Sequence, residues 1–194
     1  MKKIIGLIGI IGLLGFQASA ETKAISNNNS FEEIINGVPS QWKINEGFKE
    51  NNGMGTLRII SESAQDGKNC LMIKNEAKQI FHLHGVPAET LPGDVIKMSV
   101  YVKGKGSFTL GVYTYSGKVA VGHIYPESVN VESTNWEKKD FEMTVPDNEG
   151  VKGKVTNIRP VIVVDSDSEI YIDNFSGQIE NTATPAATEE TGKK

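Results

Sequence analysis

Ser30-Phe31-Glu32-Glu33, with Trp42 shortly after, and Ile170-Tyr171-Ile172-Asp173-Asn174-Phe175 decide the fold of this chain. Each segment sets an acidic residue inside or beside a short apolar run, and the two stand at opposite ends of what reads as one β-domain. A carboxylate among core-facing residues is costly unless it is paired, hydrogen-bonded or bound to a cation. Two of them so placed imply terminal strands lying side by side. Glu32 and Asp173 then either share a structural cation or accept backbone hydrogen bonds at strand ends.

Between these ends almost nothing reads as a long helix. Short alternating runs recur roughly every eight to twelve residues between Gly, Asn, Asp and Pro punctuation. They are Thr56–Ser61, Asn69–Lys74, Gln79–His84, Val95–Lys103, Ser107–Tyr115, Val119–Ile124, Trp136–Val145, Ile158–Val164 and Glu169–Phe175. With the segment at Phe31 they make about ten short strands, the pattern of an all-β, two-sheet antiparallel β-sandwich or jelly roll. Helix is confined to a turn or two near Glu32–Asn36 or Pro87–Leu91.

The two-residue period of a strand sorts the faces. Phe108, Leu110 and Val112 share one side of their run, and Ile96, Met98, Val100 and Val102 share one side of theirs. These aliphatic sets predict the core. The opposite sets place Tyr101, Tyr113 and Tyr115 on an outer face of neighbouring strands, where tyrosine also has plain strand propensity.

The ends of the chain read differently. Lys2 and Lys3, an apolar and glycine run from Ile4 to Phe16, and Ala18-Ser19-Ala20 have the three parts of a secretory signal peptide over residues 1–20. As a helix that run spans roughly 20 Å, short of the roughly 30 Å hydrocarbon core. The mature chain is thus expected to begin at Glu21 and to be secreted, to periplasm or exterior, with no membrane insertion after cleavage. Residues 21–29 read as a polar lead, residues 30–180 as the domain, and residues 181–194 as a disordered tail without a large apolar residue. Loss of Lys2 and Lys3 takes the net charge from −4 to −6, which argues against nucleic acid or anionic membrane as a partner. Cys70 is the only cysteine, so no internal disulfide braces the domain, and its apolar run predicts a buried thiol.

The order of short motifs resembles that of carbohydrate-binding modules of families 4, 9 and 22, which are galactose-binding-like jelly rolls. Phe31-Glu32, Gly37-Val38-Pro39 and Trp42 are similar to their opening segment, and Gly67-Lys68-Asn69-Cys70-Leu71 to a following strand. Leu91-Pro92-Gly93 with Ile96–Val102 and Lys103-Gly104 resembles their next strand, although Val95 stands where an aromatic usually follows the turn. Trp136 through Phe141, Met143, Val145 and Pro146, then Ile170–Phe175, are similar to the last two, from about residue 30 to 180 in all. The resemblance implies a calcium ion between first and last strands. Glu32 and Asp173 would supply carboxylates and the backbone near Asn69 carbonyls, chemistry that suits calcium's six to eight oxygen ligands. It also implies glycan binding without cleavage, and a core position for Trp136.

Sugar recognition needs flat aromatic faces and planar polar groups. Tyr101, Tyr113, Tyr115, His123 and Tyr125 are candidates for the first, Arg159 with Lys97 and Ser99 for the second. The alternative is that these tyrosines pack beneath loops with only their hydroxyls exposed. His82 and His84, two apart on a strand, face the same way and can share a metal. Their pattern with Glu89 and His123 is superficially similar to that of cupins. However, Pro92-Gly93-Asp94 follows Glu89 too closely, and surface or loop-packing histidines fit better. Catalysis has one basis, the Tyr, His and Arg that some jelly-roll polysaccharide lyases carry on a concave sheet. A glycosidase would need two carboxylates facing a cleft. A secreted or cell-surface protein-interaction or structural sandwich is the other class left open; its sign would be an exposed apolar patch.

Overall fold

The computed structural model describes residues 22–25, 28–44, 56–76, 80–147 and 153–181. The segment over 1–20 expected to be a signal peptide, and the expected tail beyond Asn181, lie outside the described residues. Alternating apolar residues set the strands: β1 (Thr22–Ala24), β2 (Ile34–Ile35), β3 (Val38–Pro39), β4 (Lys43–Ile44), β5 (Thr56–Ile60), β6 (Cys70–Asn75), β7 (Phe81–His84), β8 (Ala88–Glu89), β9 (Val95–Ser116), β10 (Val119–Ile124), β11 (Val129–Thr144), β12 (Asn157–Val164) and β13 (Ser168–Glu180). No helix occurs among the described residues. The two places expected to hold a helical turn carry short strands instead. Asn36 and Gly37 both take positive φ (53° and 77°), making the tight turn of a β2–β3 hairpin. The segment after Pro87 pairs as β8 with the start of β12.

Eleven strands form one continuous antiparallel sheet in the order β4-β7-β12-β9-β13-β6-β5, with β1 beside β13, β10 and β11 beside β9, and β8 beside β12. It closes into two layers because β9 belongs to both. The expected strands at Val95–Lys103 and Ser107–Tyr115 are one strand of 22 residues. Its first half pairs with β13 and the second half of β11; its second half pairs with β12 and β10. Gly104 and Gly106, at φ +121° and +139°, mark the change of layer. A Cβ on Gly104 would collide with the Glu169 carbonyl, and one on Gly106 with Ser168, so no other residue fits there. Even-numbered residues face inward along the whole strand: Ile96, Met98, Val100, Val102, Phe108, Leu110 and Val112 are all buried in one core with Leu83, Ile158, Ile162, Ile170 and Ile172.

The ends of the domain meet as the opening segments imply. Phe31, Trp42 and Phe175 pack with centroids 5.7 and 5.2 Å apart, and the Phe175 N–H donates to the Asn29 carbonyl at 2.7 Å. Pairing starts earlier than the polar lead implied. β1 lies along β13, and Ile25 is buried with its N–H on the Gly177 carbonyl at 2.8 Å. Backbone pairing asks nothing of side-chain polarity, so a polar stretch can still complete a sheet. Trp136 is the other departure. It is half-buried on an outer face, its indole N–H donating to the Ser63 carbonyl at 3.2 Å and its ring 4.6 Å from Lys103 Nζ.

Candidate functional site

The outer face of the β7–β12–β9–β10 layer gathers most of the chain's unusual side chains. Register decides it. On β12 and β9, Asn157 is opposite Tyr115, Arg159 opposite Tyr113, Val161 opposite Gly111 and Val163 opposite Thr109. Further out, His84 is opposite Val161 and His82 opposite Val163, while β10 sets His123 opposite Tyr113. Paired residues point to the same face. Arg159, Tyr113 and His123 therefore form one row across three strands.

The three histidines of the chain converge there. Tyr113 shares a 2.8 Å hydrogen bond between its hydroxyl and His82 Nδ1. Its ring centroid lies 5.0 Å from His84, 6.0 Å from Tyr125 and 6.4 Å from His123. His123 and Tyr125 stack at 4.6 Å and 30°. Tyr125 comes down over β9 because Gly111 leaves room: a Cβ on Gly111 would collide with the Tyr125 ring and stand 2.6 Å from the Ile124 carbonyl oxygen. Tyr113 is thus the packed centre of the cluster. The accessible aromatic surface belongs to exposed His123, to Tyr125 beneath it and to Tyr115.

Tyr115 opens onto a cavity of about 450 Å³ lined also by Arg159, Asn157, Glu89 and Lys118. The Arg159 guanidinium lies 5.5 Å from the Tyr115 ring centroid. Glu89 is held by Lys23 at 3.3 Å. Of the buried nitrogens without a hydrogen-bond partner among the described residues, Arg159 Nε and His84 Nε2 belong to this cluster. Burial, then the charges of His82 and Arg159, pushes His84 down to about 4. Burial and His123 lower His82 as well. Burial and the neighbouring Tyr113 hydroxyl push the Tyr125 phenol up. At neutral pH the face is therefore a hydrogen-bonding aromatic surface with a permanent cation at one end.

Of the residues singled out for glycan contact, Tyr113, Tyr115, His123, Tyr125 and Arg159 come together. Tyr101 does not. It lies in the first half of β9 opposite Lys138 and Asp173, on the outer face of the other layer. Lys97 and Ser99 share that half, and Lys97 is ion-paired to Glu180 at 2.8 Å. The placement follows from β9 crossing between layers, which a period-two pattern does not register. His82 and His84 join the site although the sequence favoured packing histidines; their shared face was legible, their partner Tyr113 was not.

The residues expected to hold calcium arrange themselves differently. Glu32 Oε1 accepts the N–H of Lys68 at 2.7 Å and of Asn69 at 2.8 Å, and the Asn69 side-chain amide donates to Oε2 at 3.3 Å. Asp173 Oδ2 accepts the N–H of Gln65 at 2.6 Å and of Asp66 at 3.0 Å, and Oδ1 that of Asn174 at 2.7 Å. Asn69 donates to Glu32 through both its backbone and its side chain, while its side-chain carbonyl accepts from the Ser61 hydroxyl at 3.3 Å. Among the described residues no three His, Cys, Asp or Glu side chains gather as a metal site. Through these donors the two carboxylates anchor the two ends of one loop, Gln65 to Asn69.

No protein-family model matches the chain, and no curated protein matches it in sequence. Solved structures match its fold. A xylan-binding family 22 carbohydrate-binding module of Paenibacillus barcinonensis superposes with a TM-score of 0.57 at 15% identity, over 86% of this chain and 100% of that one. A C-terminal family 22 module of Clostridium thermocellum gives 0.53 at 16%, over 80% and 93%. A cyclase from Fischerella sp. TAU gives 0.59 at 12%, over 84% and 100%. The fold is the jelly-roll sandwich of carbohydrate-binding modules, and it is shared with cyclases.

Proposed function

We propose that this protein is an exported, non-catalytic carbohydrate-binding module that holds a polysaccharide or oligosaccharide against the outer face of the β7–β12–β9–β10 layer. The observation that carries this reading is the convergence of Tyr113, Tyr115, Tyr125, His123 and Arg159 beside an open cavity of about 450 Å³. Aromatic faces, a planar cation and the Asn157 amide are the groups that bind sugar rings and hydroxyls. The fold shared with xylan-binding modules supports the same reading. Export rests on the signal-peptide pattern of residues 1–20. The large apolar side chains exposed among the described residues, Ile35, Ile80, Leu91 and Val119, stand on separate segments, which favours a glycan over a protein partner.

One observation keeps eliminative cleavage in view: Arg159, Tyr113 and His123 share a row. Against it, the Tyr113 hydroxyl is engaged by His82 and its ring is enclosed by His84, His123 and Tyr125. The cavity lining supplies a single carboxylate, Glu89, already paired with Lys23.

Affinity gel electrophoresis against xylan and a panel of other polysaccharides tests the proposal. Tyr115→Ala together with His123→Ala is expected to remove retention while moving the thermal midpoint by no more than about 4 °C, as for roughly 1 kcal/mol or less. Undiminished retention in that double variant would place the site elsewhere. Incubation with polygalacturonate should leave the ultraviolet absorbance of unsaturated uronate flat. A steady rise would replace binding by cleavage.

A further inference from the structure

Arg159 is one of two arginines in the chain, and its situation is not that of a structural cation. None of the ion pairs among the described residues includes it. Its Nε is buried without a hydrogen-bond partner, and its guanidinium is laid against Tyr115 at the wall of the cavity. Nε itself is sealed from the cavity, so what a ligand can meet there is the rest of the guanidinium, which no ion pair among the described residues occupies. His84 Nε2, close enough for Arg159 to depress the imidazole, is a second buried nitrogen without a partner. Lys118 adds a cation to the same lining, and the one carboxylate there, Glu89, is drawn off by Lys23. The local balance is therefore positive on a chain whose net charge is −4.

From this arrangement we infer that the Tyr115–Arg159 cavity takes a sugar residue bearing a carboxylate, a uronic acid, with Arg159 as the residue that selects it. This rests on the carbohydrate-binding reading and names its ligand class. A guanidinium beside an aromatic ring, here 5.5 Å from its centroid, offers a planar fork of N–H donors that fits a carboxylate with two parallel bonds. A neutral sugar leaves that fork with hydroxyls alone. Asn157 also lines the cavity; its amide N–H groups are held by the Gly117 carbonyl at 2.9 Å and the Thr156 hydroxyl at 3.2 Å, which leaves its Oδ1 as the acceptor for a ring hydroxyl beside the charge. A tetrahedral sulfate ester is the other anion found on glycans, and the fork matches it less well.

The test compares acidic polysaccharides with their own carboxyl-reduced forms: polygalacturonate, alginate and glucuronoxylan, each before and after reduction of the uronate to the neutral sugar. Wild-type protein should bind at least one native polymer about ten-fold or more tightly than its reduced partner, the size of one charge-assisted hydrogen bond. Arg159→Lys, which keeps the charge and loses the fork, should remove most of that difference, its affinity for the native polymer falling to within a few-fold of its own affinity for the reduced one. Glu89→Gln, an exposed change that does not threaten folding, should widen the ratio between native and reduced polymer. Equal affinity for native and reduced forms throughout would overturn the inference and leave glycan binding standing. Retention on dextran sulfate but on no uronate polymer would also overturn it. Retention on no polysaccharide of any kind would overturn the carbohydrate reading itself.

Discussion

His84 carries the sharpest residue-level consequence of the fold. Its imidazole is packed against Tyr113, half-buried, and pushed down to about 4 by burial and by the charges of His82 and Arg159. The unfolded chain protonates it near 6.5, so between those values the unfolded state binds more protons than the native one. His84 therefore adds stability above pH 6.5, and that contribution is lost as pH falls toward 4. His82, also lowered, acts in the same sense. Asp173 acts in the opposite one: burial, the largest influence on it, raises its pKa, which favours the fold as pH falls. The histidine contribution is isolated by comparing wild type with His84→Gln. Melting curves from pH 7 to pH 4 should show the wild-type midpoint falling more steeply than the variant's. An imidazole titration by NMR with a His84 midpoint near 6.5 would show the enclosure to be absent.

At the scale of elements, β9 organises the molecule, and its glycines decide what its two faces can do. Gly104 and Gly106 let one strand serve both layers, while Gly111 lets the segment after β10 close over the sheet. Gly111→Ala puts a methyl group where the Tyr125 ring and the Ile124 carbonyl now stand. The chain can relieve this by lifting Ile124 to Pro126 away, at the cost of the Thr109 hydroxyl's 3.2 Å bond to the Pro126 carbonyl. The expected outcome is a cooperative, folded variant, destabilised by about 1–3 kcal/mol, whose tyrosine fluorescence and glycan retention both change. Unchanged retention would mean that the His123–Tyr125 stack contributes nothing to the ligand. Strand identity was legible for most of this layer, since Val119–Ile124 and Ile158–Val164 were read almost to the residue. The fusion of two runs into β9 was not: Gly104 to Gly106 fell between the two runs, and only the pairing of these residues with β11 and β13 shows that the strand continues through them.

For the whole molecule, closure is the issue. The chain has no disulfide, and Cys70 is fully buried with its thiol pushed up to about 11 by burial. The seam between the ends rests on the Phe31–Trp42–Phe175 cluster and on Glu32 and Asp173, which hold the Gln65–Asn69 loop through backbone N–H donors. Removing the carboxylate in Asp173→Ala strands the N–H groups of Gln65 and Asp66, for an expected loss of about 1–3 kcal/mol. Because donors occupy these carboxylates, EDTA should leave the wild-type thermal midpoint where it is. A drop on chelation, reversed by calcium and absent from Asp173→Ala, would restore a cation to the seam.

The amino-acid sequence by itself determined the class of fold, the meeting of the two ends and the inward set of β9. These follow from two-residue alternation, turn residues and the cost of burying a carboxylate, all of which act over a few neighbours. It also marked both acidic residues as structural. Only the tertiary structure showed which donors reach them, because these lie in a loop far away in sequence from either carboxylate. Register decided the site in the same way. Arg159, Tyr113 and His123 are separated along the chain and joined across three strands, while Tyr101, on the same strand as Tyr113, faces the other side of the sandwich.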